Sequence, residues 1–187
     1  MRKIVYGVHQ SLDGFIEGPN GEFDWPRMGP ELSAFSLEQC GRAGSLVYGR
    51  RVWEFMAAYW PQAESISDHP HDLAFVPIWR RTPKVVISRT LAEADHGARV
   101  VGGGDLAREV TALKDQPGGD LLLNGGAEAA AALTALGLVD EYQIFVHPVV
   151  LGGGKPVFSA TERLKLRLVE SRTFDGTSVL LRYHRAG

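Results

Sequence analysis

With a single cysteine, Cys40, the chain can close no internal disulfide and offers no cysteine cage for a metal. It also lacks an excess of charge. Its 20 Lys and Arg against 22 Asp and Glu leave a net charge of −2, so nothing supplies the basic surface that nucleic-acid phosphates require. No apolar run approaches the roughly 20 residues of a membrane-spanning helix, and the N-terminal stretch MRKIVYGVHQSLDG turns polar too early for a signal peptide. Internal repeats are missing, and the only biased stretch, Ala129 to Ala132, is good helix former. Two nucleotide-binding fingerprints are missing as well. Neither G-x-G-x-x-G after the first strand nor G-x-x-x-x-G-K-[ST] occurs anywhere. These absences point to a cytoplasmic protein that binds neither nucleic acid nor membrane.

What remains is an ordinary globular composition rich in glycine. Hydrophobic residues make up 44% of 187, enough to fill the core of one domain spanning residues 1–187. The β-branched and aromatic run at 3–8 reads as a first strand, followed by a long loop broken by Gly14, Gly18, Pro19, Gly21, Pro26 and Gly29. Phe15, Ile16, Phe23 and Trp25 within it argue against disorder, so the spacing predicts an ordered active-site loop in which FIEG can pair briefly. Residues 31–41 predict a helix, 45–48 a strand, 50–59 a helix stopped by Pro61, and QAESISDHPHD a surface loop. A helix at 72–81 and strands at 83–88 and 99–101 follow. Asp105 is placed to cap a helix carrying Leu106, Val110 and Leu113 on one face. Then DLLLNGGAEAAAALTALG reads as a strand at 120–124, a Gly125-Gly126 turn and a helix at 127–136.

Strands alternating with helices predict an α/β fold whose mostly parallel sheet gathers every strand-to-helix turn at one edge. Residues 141–150 add a strand, and the alternating segments around Asp175-Gly176 predict a closing antiparallel hairpin.

Glycine recurs at three of those turns: Gly49, the 102–104 run, and Gly125 with Gly126. Helix starts with bare backbone N–H groups favour phosphate, and glycine lets it approach. Arg50, Arg51 and Arg89 stand next to such turns and offer guanidinium forks. In HPVVLGGGKPVF, Lys155 beside three glycines is compatible with a phosphate loop or with a bulge. His147 is a candidate relay or a bonded strand histidine. His69 and His71 with Asp68 and Asp72 lack a second cluster, so no metal is expected.

The ordered set SLDGFIEG…FDW, VYGRRVWE, PKVVISRT, LLLNGGAE and GLVDEYQIFVHPVVLGGGKPVF resembles the dihydrofolate reductase-like family. Its nearest likeness is the reductase domain of the bifunctional riboflavin-biosynthesis deaminase–reductase and its stand-alone relatives. The resemblance implies a single-domain fold of that kind, often homodimeric, with NADPH as cofactor. It implies that Gly49, Arg50 and Arg51 meet its phosphates, that Ser88 and Arg89 border its adenosine end, and that Asn124, Gly125, Gly126 and Ala127 receive the pyrophosphate. The nicotinamide is then expected near Val8 and the 11–14 loop.

Hydride reduction needs a proton donor, and the acids of the long loop are Asp13, Asp24 and Glu31. Glu31 is the nearest positional match to the acid that follows the loop tryptophan in dihydrofolate reductases. Asp13 and Asp24 have the alternative role of fixing the loop. No deaminase half accompanies the match, which suggests a stand-alone reductase for a pteridine or a 5-amino-6-(ribosylamino)uracil phosphate. The rivals are dihydrofolate reductase proper and a catalytically silent nucleotide-binding protein.

Overall fold

The β-branched and aromatic residues that begin the chain form β1, Ile4–Gln10, which runs two residues beyond its predicted end. In this computed structural model, residues 1–159 and 162–186 are described. Parallel neighbours flank β1: β6 (Leu121–Leu123) on one side and β7 (Glu141–Val146) on the other. Beyond β6 lie β3 (Ser45–Gly49), β4 (Lys84–Ile87) and β5 (Arg99–Val101), all parallel. Beyond β7 the antiparallel hairpin of β9 (Leu166–Phe174) and β10 (Ser178–Arg185) closes the sheet, giving the order β5-β4-β3-β6-β1-β7-β10-β9. The short FIEG segment does pair: β2, Phe15–Glu17, is antiparallel to β8, Lys155–Pro156.

Alternation along the strands divides the core. Ile4, Tyr6, Val8, Leu121 and Leu123 pack with Val110 and Leu113 of α5 (Leu106–Lys114) and Ala130 and Leu133 of α6 (Ala127–Ala135). On the other face, Val5, Leu46, Tyr48 and Leu122 pack beneath α2 (Arg50–Tyr59) and α4 (Pro70–Arg81), through Trp53, Phe75, Val76 and Trp79. The helix α1 (Pro30–Arg42) covers Phe145, Phe174 and Leu180 with Leu32 and Phe35. Leu133 is 1% exposed at the centre of the first layer. Leu133→Ala is expected to cost about 2–5 kcal/mol in urea denaturation.

Two local predictions change here. The segment read as surface loop, 62–72, instead begins at the end of a 3-10 turn, Trp60–Gln62, and continues into a short helix α3, Ala63–Ile66. Pro61 and Pro70 occupy first-turn positions there, where proline starts a helix as readily as it stops one. Ala63, fully buried, anchors that turn. The strand predicted to reach Val150 ends at Val146: His147 N still donates to Gln10 O at 2.9 Å, but Pro148 has no N–H to continue the ladder. No described helix is long and apolar enough to cross a membrane.

Candidate active site

The register of the central strands makes a step at their C-terminal edge. Val47, Leu123, Tyr6 and Tyr142 share one row, which puts Gly49 level with Val8 and Ile144. There β3 stops, β6 having ended two residues earlier at Leu123, whereas β1 and β7 continue to Gln10 and Val146. At about 3.3 Å per residue, the overhang is about 7 Å.

Two helices begin side by side on the low side of this step. Gly49 is the N-cap of α2 and Gly126 that of α6, and neither helix start has a side-chain cap. Their first amides therefore keep free N–H groups at the positive ends of both dipoles. Gly49 N donates to Gly125 O at 3.0 Å, tying the turns together. A Cβ on Gly49 would stand 3.2 Å from Ala129 Cβ and 3.5 Å from Gly126 N, while Gly125 has φ +97°, a region costly for any side chain. The Gly125–Gly126 peptide is cis.

The third glycine turn differs from what its sequence suggests. Gly102 N and Gly104 N donate to the two carboxylate oxygens of Glu109, at 3.0 and 3.3 Å, and Asp105 caps Arg108 N at 3.1 Å. That turn already holds its own anion. Ser88 also turns inward, its Oγ accepting from Thr90 N and Leu91 N, while Arg89 beside it is exposed. Arg50 pairs with Glu54 at 2.8 Å along α2; Arg51 is exposed with no ion pair among the described residues. Val8 faces the α5–α6 layer and is buried there.

The high side of the step is open over a central strand. Gly7 and His9 are only partly buried although β1 lies inside the sheet, and a Cβ at Gly7 would find only Asn124 Oδ1, at 3.9 Å. Tyr48 borders this opening, its phenol pushed up by burial and neighboured by Asn124 and Trp79. His9 stacks on Phe145 with centroids 4.9 Å apart, and its Nδ1 lies 2.8 Å from His147 Nε2. The ring of Trp25 meets His147 edge-on at 5.7 Å. From the helices, His71 of α4 bonds Ser33 Oγ of α1 at 2.8 Å. His69, rather than joining a metal set, accepts from His71 N as the cap of α4.

His9, His147 and His71 are biased toward the neutral form. Burial, then His147, then His71 push the His9 pKa down to about 3; burial also lowers His147 and His71. Above the unfolded value near 6.5 neither state is charged; below it only the unfolded chain takes the proton. Stability is therefore expected to fall as pH drops through the window from about 6.5 to about 3. In urea midpoints measured against pH, His9→Asn should flatten that decline.

The loop acids are engaged elsewhere or exposed. Asp13 accepts from Leu151 N at 3.1 Å and Gly152 N at 2.8 Å; a bond with Ser11 first, and then these two amides, lower its pKa, and it staples the 11–14 loop to the 147–154 loop. Glu31 accepts from Asp175 N, while the Asp175 carboxylate accepts from Glu31 N and Leu32 N at 2.9 and 3.1 Å, so the hairpin turn caps α1. Asp24 is exposed. Asp175→Ala is expected to cost about 1–2 kcal/mol through the lost cap, whereas Asp175→Asn keeps most of it.

Sequence reasoning did not single out His9, and it weighed His71 only as a metal ligand, a role it set aside. The period-2 alternation of Val5, Gly7 and His9 was the available signal, since it puts a histidine on the face that glycine opens.

This sheet, its C-terminal hairpin and its edge define a dihydrofolate reductase-like fold. A dihydrofolate reductase from Enterococcus faecalis, complexed with NADP(H) and RAB-propyl, matches with a TM-score of 0.66 at 17% identity, over 99% of this chain and 97% of that one. Within this class the chain belongs to the RibD C-terminal domain family, whose pattern it fits over residues 2–180. It is similar to RibD of Acinetobacter baumannii, with a TM-score of 0.71 and 21% identity, over 100% of this chain and 59% of that one. The uncharacterized protein YyaP of Bacillus subtilis is 36% identical over 187 residues, covering 100% of this chain and 96% of YyaP.

Proposed function

We propose that the protein is an NADPH-dependent reductase of the riboflavin type, acting on a small heterocycle. The observation that carries this reading is the pair of uncapped helix starts at Gly49 and Gly126, set side by side where β3 and β6 end. Two adjacent positive helix ends with glycine at each cap fit a pyrophosphate better than a single phosphate. Asn124, Gly125 and Ala127 would complete that cradle, and Arg51 with Arg89 would meet the phosphorylated adenosine end beside Ser88. Arg50, already paired with Glu54, contributes charge from the same turn.

When bound, the nicotinamide supplies the hydride. The chain's own part is to hold the ring in the opening over Gly7, next to the edge row of Val8, and to close that opening with the Trp25 loop against water. For the substrate, RibD family membership favours a 5-amino-6-(ribosylamino)uracil phosphate, with a pteridine second. A Thermotoga maritima neighbour of 14% identity and TM-score 0.69 is described as a diaminohydroxyphosphoribosylaminopyrimidine deaminase and 5-amino-6-(5-phosphoribosylamino)uracil reductase.

Fluorescence titration tests the cofactor. NADPH is expected to bind at least about tenfold tighter than NADH, a difference of about 1.4 kcal/mol. Arg51→Ala should narrow that gap more than Arg50→Ala. Equal affinities for the two cofactors in the unaltered protein would sink the reading.

A further inference from the structure

Asp13 and Glu31 are engaged by backbone amides, Asp24 is exposed, and no carboxylate of the described residues is among the groups that act on His9 beside Gly7. His9 of β1 lies at the opening over Gly7, and the titratable groups that act on His9 are imidazoles, His147 from the end of β7 and His71 from α4, while the Tyr48 phenol borders the same opening. His9 is fixed on both sides, by its stack on Phe145 and by its Nδ1 contact to His147 Nε2. No described residue bonds its second nitrogen, Nε2. Beside His147, Trp25 Nε1 is buried and likewise has no acceptor. Leu12, Phe23 and Val150, all exposed, give the surrounding loops an apolar character.

We propose that His9, oriented by His147, is the hydrogen-bond donor that selects the acceptor molecule, and that the pocket takes a flat, uncharged heterocycle presenting a carbonyl oxygen. The proposal rests on reading this edge as the reductase site and specifies its substrate side. Two neutral imidazoles share one proton along their common bond. When His147 Nε2–H donates to His9 Nδ1, the proton of His9 sits on Nε2 and points away from the pair. An N–H so placed matches a carbonyl and leaves a protonated 2,4-diaminopyrimidine edge without the carboxylate it needs. Burial lowers the pKa of both rings, that of His9 to about 3, so at neutral pH the donor is not a cation that would favour an anionic ligand.

The experiment compares 2,4-dioxopteridine with 2,4-diaminopteridine, the same ring with opposite edges, by calorimetric titration of the full chain with and without NADP+. Nitrogen-15 NMR of labelled histidine follows His9 in the same samples. The expected result is at least about tenfold tighter binding of the dioxo compound, with His9 protonated on Nε2 before addition and its signal shifted after it. His9→Phe should abolish the preference, and His9→Asn, whose amide still donates, should restore part of it. His147 acts through His9, so His147→Phe should move the His9 tautomer signal. Protonation of His9 on Nδ1, tighter binding of the diamino compound, or binding of neither would overturn the proposal. NADP+ titrated alone reports on the reductase reading separately, and either result can fail while the other stands.

Discussion

Gly126→Val is expected to weaken NADPH binding by more than about a hundredfold, equivalent to about 2.7 kcal/mol, while lowering Tm by only a few degrees. Gly126 has φ −76° and ψ 161°, extended backbone open to any residue, so the fold does not require glycine there. A Cβ would meet Val52 Cγ2 at 3.5 Å, an ordinary contact. What valine adds is two methyl groups at the cap of α6, where a pyrophosphate oxygen would have to reach the free amides. Losing one or two charge-assisted bonds, each worth about 1.5–3 kcal/mol, accounts for the size of the effect. Fluorescence titration and thermal denaturation on one preparation separate the possibilities. Unfolding with binding retained in the surviving protein would return Gly126 to a packing role.

The second large effect is expected from Gly154→Ala, and it should fall on the other half of the site. Gly154 has φ +129°, and a Cβ there would run into the Glu17 carbonyl, across the pairing of β2 with β8. Strain of this kind, with the lost pairing, is expected to cost about 3 kcal/mol, or roughly 6–12 °C in Tm. Because β2 carries the loop that brings Trp25 over His147, the folded variant should lose affinity for a heterocyclic probe and keep its NADPH affinity. Calorimetry at a temperature well below the lowered Tm checks this. A loss of NADPH affinity as large as the loss for the probe would show that the β2–β8 pairing does not act selectively on the substrate side.

These two glycines also mark what could be read in the chain. The strands were legible because β-branched runs bounded by turn residues carry their own signal, and so was the NGGA turn between LLL and the alanine helix. The α6 start needed only local spacing. What escaped depends on partners far apart in sequence. Glu31 and Asp175 cap one another across 144 residues, and His9 meets His147 across 138, so neither pairing leaves a local trace. The Gly102 turn misled for a subtler reason: its glycines look like those of the other turns, and the difference lies in Glu109, a full turn of helix later.

That carboxylate gives the edge a direction. A fixed negative charge already fills the turn after β5, so a second anion arriving there would meet repulsion at short range in place of a cradle. On the proposed reading, a dinucleotide lying along the strand ends would have one favourable sense, with its phosphorylated ribose drawn to Arg51 and Arg89 and its course along the sheet halted before the outermost strand. Glu109 would then be an end-stop, built from the protein's own side chain, for a ligand that is itself an anion.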